Sequence, residues 1–163
     1  MRKFIVTLCI LAICLLAGCQ NQPDTIRLDS LSCEIPPMYT AVSGKDIGAE
    51  QMFQNQQSYI CTYKQSKEQL IKSIRENGVA CDFISLESYV RSYTEDNGLD
   101  AQLLGDTDTW YLKDTVTMGD TEYTYMCIFY ETEENFWRVY GCFPSTQWET
   151  DSQDIWESLI AFH

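Results

Sequence analysis

The strongest constraint on the fold is a run of alternating apolar residues that is interrupted by the pair Gly119-Asp120. A glycine followed by an aspartate between two β-rich runs is typical of a two-residue hairpin, and a type II′ turn needs a positive φ at its first position. Such a turn sets the register of the strands on either side of it. The expected pairs are Met118 with Thr121, Val116 with Tyr123, Leu112 with Cys127 and Trp110 with Phe129.

This register divides the hairpin into two faces, because side chains alternate along a strand. The first face is almost wholly apolar, and we expect it to cover a core; it carries Trp110, Leu112, Val116, Met118, Tyr123, Tyr125, Cys127 and Phe129. The second face is polar near the turn and apolar farther away, where it carries Tyr111, Met126, Ile128 and Tyr130. Either a helix covers these four side chains, or they form an exposed apolar patch that would mark a binding site. They are the candidate binding patch.

Two helices are expected before the hairpin, over residues 66–78 and 85–98. Ser66 and Gln69 have the spacing of a capping box, and Ser85 is a suitable N-cap for the second helix. An Asn-Gly pair ends each segment, as expected for a left-handed helix stop. The apolar residues at helical spacing are Leu70, Ile71 and Ile74 in the first segment, and Leu86, Tyr89, Val90 and Tyr93 in the second.

The rest of the chain completes an α+β pattern. Two short strands flank Pro36-Pro37, residues 44–57 read as a loop with at most an irregular edge strand, and a β-rich run follows. After the hairpin, residues 136–143 predict a third strand that Pro144 ends, and residues 150–162 predict a closing amphipathic helix. Strands followed by helices, strands and a helix indicate an α+β domain built on an antiparallel sheet with helices packed on it.

The N-terminus has the pattern of an export signal. The basic start Met1-Arg2-Lys3 precedes the apolar run Phe4–Leu16 of 13 residues. As a helix this run would span about 20 Å, which is too short to cross a hydrocarbon core of about 30 Å. A basic start, a short apolar run and then small residues are typical of a secretory signal peptide. Here the small residues form the tetrapeptide Leu16-Ala17-Gly18-Cys19.

This tetrapeptide resembles the lipobox of bacterial lipoproteins. The resemblance implies that residues 1–18 are removed by cleavage between Gly18 and Cys19, and that the Cys19 thiol receives a diacylglycerol. The alternative is an ordinary signal peptide that happens to contain cysteines. Several acyl chains on one residue would hold the protein stably at the extracytoplasmic face of the cell membrane. The polar residues 19–30 then read as a tether, and residues 31–163 as one domain.

The charge balance argues against one class of partner. The chain carries 24 acidic and 11 basic side chains, and removal of Arg2 and Lys3 with the signal takes the net charge from −13 to about −15. Such a charge disfavours nucleic acid, which binds to basic surfaces. Disorder is not expected, because 13% of the residues are aromatic and 45% are hydrophobic.

The cysteines do not predict a metal or redox site. With Cys19 lipidated, the remaining thiols of the expected domain are Cys33, Cys61, Cys81, Cys127 and Cys142. Their number is odd, so at least one stays unpaired or pairs outside the chain. None of them forms a Cys-x-x-Cys pair of the kind found in zinc sites and thioredoxin-like motifs. A mixture of core thiols and one or two disulfides is expected, and the pairing stays open.

No motif predicts catalysis, a metal or a cofactor. The single histidine, His163, is the last residue, so a serine or cysteine nucleophile has no evident base. The acidic clusters at 94–100, 105–109 and 131–135 lie in expected turns, and neither of the first two has the ligand spacing of an EF-hand. We therefore expect a protein that is not an enzyme. An acid-base hydrolase with two loop carboxylates is the alternative.

The order of elements resembles the PsbP-like fold, in which an antiparallel sheet lies between helices. The segment CEIPPMYTAVS (33–43) is similar to the opening strand of that fold, and WESLIAF (156–162) is similar to its closing helix. The resemblance extends over most of residues 31–163. It offers no catalytic residue for transfer, and it implies a binding or accessory module whose partner is a protein or a small ligand.

Overall fold

The computed structural model describes residues 24–104 and 108–147, which form nine strands and two α-helices. The strands are β1 (Thr25–Leu28), β2 (Leu31–Glu34), β3 (Thr40–Val42), β4 (Gln51–Asn55), β5 (Ser58–Ser66), β6 (Gln102–Leu103), β7 (Trp110–Met118), β8 (Thr121–Glu131) and β9 (Asn135–Pro144). The helices are α1 (Lys67–Glu76) and α2 (Leu86–Asn97), and short 3-10 turns lie at Lys45–Ile47 and Ser145–Gln147. The expected fold class, α+β on an antiparallel sheet, is confirmed.

Seven of the strands form one antiparallel sheet in the order β3-β4-β5-β9-β8-β7-β6, and β1 and β2 form a separate hairpin. Strand β9 lies at the centre of the sheet. Its side chains are buried or half-buried on both sides, which explains its almost continuous apolar sequence, FWRVYGCFP. A strand that is covered on both faces needs apolar residues at successive positions, whereas a half-exposed strand alternates.

The predicted hairpin register is confirmed. Strand β7 pairs with β8 so that Met118 faces Thr121 and Trp110 faces Phe129. Gly119 has φ 64°, which agrees with the positive φ expected at the first turn position. The apolar face is buried only in its half away from the turn, because Val116 and Met118 are 41% and 51% exposed at the hairpin tip.

Local sequence accounts for both helices. The Ser66 side chain accepts a hydrogen bond from the backbone N–H of Gln69, and Ser85 accepts one from Ser88. Each N-cap thus satisfies an N–H group that has no partner within its helix. Gly78 and Gly98 have φ 82° and 64°, as predicted for the helix stops. The apolar stripes of α1 and α2 pack on one side of the sheet, which we call the helix face.

The opposite side of the sheet, which we call the hairpin face, is covered by the β1–β2 hairpin. Its core cluster joins Ile26 and Leu28 of β1 to residues of β8 and β9. The domain therefore starts earlier than the predicted boundary at residue 31. The predicted tether of residues 19–30 is wrong at its C-terminal end, because Thr25–Leu28 is a strand whose two apolar side chains are fully buried. Residues 19–23 lie outside the described residues.

The candidate binding patch is part of this core and is not an exposed surface. Met126 and Ile128 are 0% exposed, and Tyr111 and Tyr130 are half-buried against the same cluster. The β1–β2 hairpin contributes to their cover where a helix was expected. The prediction missed this because β1 lies in the segment assigned to the tether.

Two other expectations differ from the structure. Residues Gln51–Asn55 form a regular strand inside the sheet, between β3 and β5, because Phe53 is buried in the hairpin-face core. The expected closing helix at residues 150–162 lies outside the described residues. Within the described part of the chain, no helix has the length and apolar character needed to cross a membrane.

Candidate functional site

The candidate site is a groove of about 500 Å³ on the helix face, between α1, α2 and the loop that joins them. Apolar side chains from all three segments line it, including Leu70, Ile74, Val79, Phe83, Ile84 and Tyr89. A concave, mainly apolar site with a few polar groups is the usual form of a small-molecule pocket.

The loop over residues 77–85 forms the outer wall, and Arg75 holds it in place. The Nε atom of Arg75 donates a hydrogen bond of 2.7 Å to the carbonyl oxygen of Cys81, and its guanidinium also pairs with Asp82. On the side of the loop that faces the sheet, the Ile84 side chain packs into the helix-face core and is 8% exposed. The groove wall is therefore supported from both sides.

Two large apolar side chains stand open to solvent at the groove. Phe83 is 73% exposed and Val79 is 58% exposed, and both line the groove. Burial of a phenylalanine side chain is worth about 1.5 to 3 kcal/mol. Exposed apolar side chains that lie together beside an apolar cavity are typical of a binding site.

Arg138 of β9 also lines this groove. In the sheet it is paired with Tyr63 of β5 on one side and Phe129 of β8 on the other. Its guanidinium carbon lies 4.6 Å from the ring centroid of Tyr93 and 5.3 Å from that of Tyr63, which are cation–π distances. The hydroxyl of Tyr93 in turn shares a hydrogen bond with that of Tyr140.

The charge of Arg138 has no carboxylate partner among the described residues. Its Nε atom is buried without a hydrogen-bond partner, and none of the ion pairs in the described ranges includes it. The one carboxylate among the described groove residues, Asp96, is exposed and forms no ion pair with it. The side chain is half-buried, and a positive charge that is partly removed from water normally has an ion pair or several hydrogen bonds, so this arginine is unusual.

The acidic groups around Arg138 do not supply a negative charge at neutral pH. Burial raises the pKa of Tyr63 to about 12 and that of the Cys61 thiol to about 11. Burial also raises the pKa of Tyr140 and of Cys127. All four groups are therefore protonated and neutral at pH 7, so none of them supplies a counter-charge, and the contacts of the guanidinium within the described ranges are with ring faces.

A second, wider cleft of about 950 Å³ runs along another flank of α1, but its character differs. Its basic residues are engaged by acidic neighbours: Lys67 lies 2.6 Å from Glu131, and Lys72 lies 4.0 Å from Glu76. The Lys72–Glu76 pair is exposed and contributes little energy, and most of the residues that line this cleft are charged or polar. The groove beside Arg138 is therefore the better candidate.

The other residues singled out in the sequence do not converge on a site. Trp110 and Tyr125 pack at the edge of the helix-face core, as expected from the register. Asp96, Asp100 and Asp108 are exposed. Asp106, His163, Gly18 and Cys19 lie outside the described residues. Across residues 24–104 and 108–147, no group of three His, Cys, Asp or Glu side chains is placed to hold a metal ion.

None of the five domain cysteines forms a disulfide in the described part of the chain. Cys33 and Cys127 are buried, and Cys61, Cys81 and Cys142 are half-buried. The expected buried thiols are thus present, whereas no disulfide joins any two of these five cysteines.

Sequence reasoning missed Arg138 as a site residue. The signal that could have found it is the pattern of β9, in which one arginine interrupts an otherwise apolar strand. By alternation it shares a face with Phe136 and Tyr140, and an arginine on an apolar face of a central strand needs an explanation.

Comparisons with known proteins identify a fold. No protein-family model matches the sequence, and no curated protein matches it. The solution structure of cyanobacterial PsbP (CyanoP) from Synechocystis sp. PCC 6803 is similar, with a TM-score of 0.54 and 10% identity over 87% of this chain and 91% of that chain. The crystal structure of LpqN, a protein involved in cell envelope biogenesis of Mycobacterium tuberculosis, has a TM-score of 0.52 and 10% identity over 84% and 86%. Likenesses at this identity show the fold alone, and the chain is an α+β protein with a PsbP-like fold.

Proposed function

We propose that this chain is a lipid-anchored protein of the extracytoplasmic membrane face, and that it binds a small apolar ligand in the groove between α1 and α2. The observation that carries the binding role is the exposure of Phe83 and Val79, at 73% and 58%, beside a groove of about 500 Å³. An apolar ligand would remove these side chains from water and fill the groove, and both changes favour binding.

The anchor is supported by the sequence of the N-terminus, in which Leu16-Ala17-Gly18-Cys19 follows a short apolar run. The fold is compatible with an accessory module at a membrane. One protein with a similar structure is CyanoP, and another, LpqN, is involved in cell envelope biogenesis. The role of LpqN is that of LpqN itself, because a shared fold does not by itself establish a shared function.

Photolabelling of the full chain in its host membrane tests the groove. The probe is a twelve-carbon alcohol with a diazirine on its chain, and adducts are mapped on peptides by mass spectrometry. We expect adducts on residues 70–84, and a several-fold loss of these adducts in Phe83→Ser. Met118→Ser is the matched control, because Met118 is also an exposed apolar side chain, at 51%, but lies at the hairpin tip.

Two results would contradict the groove assignment. One is labelling spread evenly over the surface, with no preference for residues 70–84. The other is equal labelling of the groove in the wild type and in Phe83→Ser.

The anchor is tested separately with Cys19→Ala. We expect this variant to lose metabolic labelling with a lipid precursor and to shift from the membrane fraction to the soluble fraction. Continued lipid labelling of Cys19→Ala would overturn the anchor, without bearing on the groove.

A further inference from the structure

We infer that the groove ligand is a single-chain amphiphile with one carboxylate, whose head group pairs with Arg138 and whose chain lies against the apolar wall that includes Phe83. The inference rests on the proposed binding function and adds the chemical class of the ligand. It depends on three observations. Arg138 has no carboxylate partner among the described residues, its guanidinium contacts tyrosine rings, and the surroundings of the groove are acidic.

The first observation is that no described carboxylate neutralises the charge of Arg138. The Nε atom of Arg138 is buried without a hydrogen-bond partner, and no described carboxylate forms an ion pair with the side chain. A guanidinium in such surroundings pays a desolvation cost that ring contacts offset only in part. An anion in the groove would supply a counter-charge for the guanidinium.

The second observation is the arrangement of the rings around Arg138. The guanidinium carbon lies over the rings of Tyr93 and Tyr63, at 4.6 Å and 5.3 Å from their centroids. A ring contact uses the π face of the tyrosine and leaves the guanidinium N–H groups able to donate. The carboxylate is planar and can accept two parallel N–H bonds from an arginine, so its geometry matches the free donors.

The third observation is the surrounding negative charge, which favours a monoanion. The chain has a formal net charge of −13, and Asp96 lies on the groove wall. One guanidinium neutralises one carboxylate. A phosphate monoester carries more than one negative charge at neutral pH, and its excess charge would be repelled by Asp96 and by the acidic surface.

The test compares two probes that differ only in the head group: the diazirine-bearing dodecanol used for the groove and the matched dodecanoate. In the wild-type full chain we expect half-maximal labelling of residues 70–84 at a concentration of dodecanoate about 10-fold or more below that of dodecanol, as for a charge-assisted hydrogen bond. Arg138→Met should abolish this preference and keep the labelling by dodecanol. Arg91→Met is the control, because Arg91 lies on α2 and is exposed, with Glu87 as its partner.

A second measurement needs no variant. In the wild type, the preference for dodecanoate should disappear when the pH falls below the pKa of the ligand carboxyl, which is about 4 to 5 for such acids. Unlabelled dodecyl phosphate should compete with the dodecanoate probe more weakly than unlabelled dodecanoate does.

The inference is overturned if dodecanol and dodecanoate label the wild type equally at neutral pH, if Arg138→Met retains the preference, or if dodecyl phosphate competes better than dodecanoate. The failure of the proposed function would look different, because neither probe would then label residues 70–84.

Discussion

The two faces of the central sheet differ in how a charged side chain is satisfied by its neighbours within the described residues. On the hairpin face, the Oδ2 atom of Asp29 accepts three hydrogen bonds, from Thr132 Oγ1 at 2.6 Å, Asn135 Nδ2 at 2.8 Å and Trp137 Nε1 at 2.9 Å. On the helix face, Arg138 has ring contacts but no carboxylate partner among the described residues.

The difference separates a structural role from a binding role. Asp29 lies in the turn between β1 and β2, so its three hydrogen bonds join that hairpin to the sheet and satisfy the buried Asn135 and Trp137. Every group in that contact has a partner within the chain, and no ligand is needed. Arg138 borders a groove, and its Nε–H group has no acceptor among the described residues. A polar group that folding leaves unsatisfied beside a cavity is a natural place for a ligand.

The largest expected effect tests whether the hairpin face is a true core that includes β1. Leu28→Ala removes a side chain that is 0% exposed, so we expect a loss of about 2 to 5 kcal/mol in the free energy of unfolding, measured by urea denaturation. The same substitution at Leu103, which is 47% exposed, should cost less than about 0.5 kcal/mol. Equal effects at the two positions would show that residues 25–28 are not part of the folded core.

The second prediction concerns the charge of Asp29. Burial raises the pKa of its carboxyl, but the hydrogen bonds from Thr132, Asn135 and Trp137 together with the charge of Lys64 outweigh burial, so the pKa lies below its ordinary value of 3.8. A folded-state pKa that is lower than the unfolded one stabilises the fold above the unfolded value, and the contribution is lost as the pH falls through the folded value. Because Asp29 is exposed, solvent screens part of its charge, and we expect Asp29→Asn to cost only about 1 kcal/mol at pH 7.

Measurement of urea unfolding at several pH values checks this sign. The free energy of unfolding of the wild type should exceed that of Asp29→Asn at pH 7, and this difference should become smaller as the pH is lowered below 3.8. Glu122→Gln, at an exposed position of β8, is the control and should show no comparable change. A difference that stays constant down to pH 2 would mean that the charge of Asp29 does not stabilise the hairpin.

The smallest expected effect on stability is at Arg138. Arg138→Met removes a buried charge and two ring contacts of about 0.5 to 1 kcal/mol each, and it relieves the desolvation cost, so we expect a free energy of unfolding within about 1 kcal/mol of the wild type. A loss well above 2 kcal/mol would make Arg138 a structural residue like Asp29.

Local patterns predicted much of the helix face. The caps at Ser66 and Ser85, the glycine stops and the register around Gly119 all depend on residues a few positions apart. Interactions of this kind follow from backbone sterics and short-range hydrogen bonds, so they can be predicted without knowledge of the rest of the chain.

The hairpin face was predicted less well, because its contacts join distant residues. Asp29 binds Thr132, Asn135 and Trp137, which follow it by more than 100 positions. Nothing near Asp29 in the sequence indicates these partners, and the polar residues around β1 resemble a tether. The same reason explains why Tyr111, Met126, Ile128 and Tyr130 were left as a candidate patch.

The sequence by itself determined the fold class, the register of the β7–β8 hairpin and the ends of the two helices, because each depends on local periodicity and turn chemistry. It also predicts the lipid on Cys19, which awaits its test. Only the tertiary structure decided which face of the sheet the β1–β2 hairpin covers and which face carries the groove between the helices. That decision depends on where β1–β2, α1 and α2 pack. This packing satisfies Asp29 within the chain and places Arg138 at the groove with no carboxylate partner among the described residues.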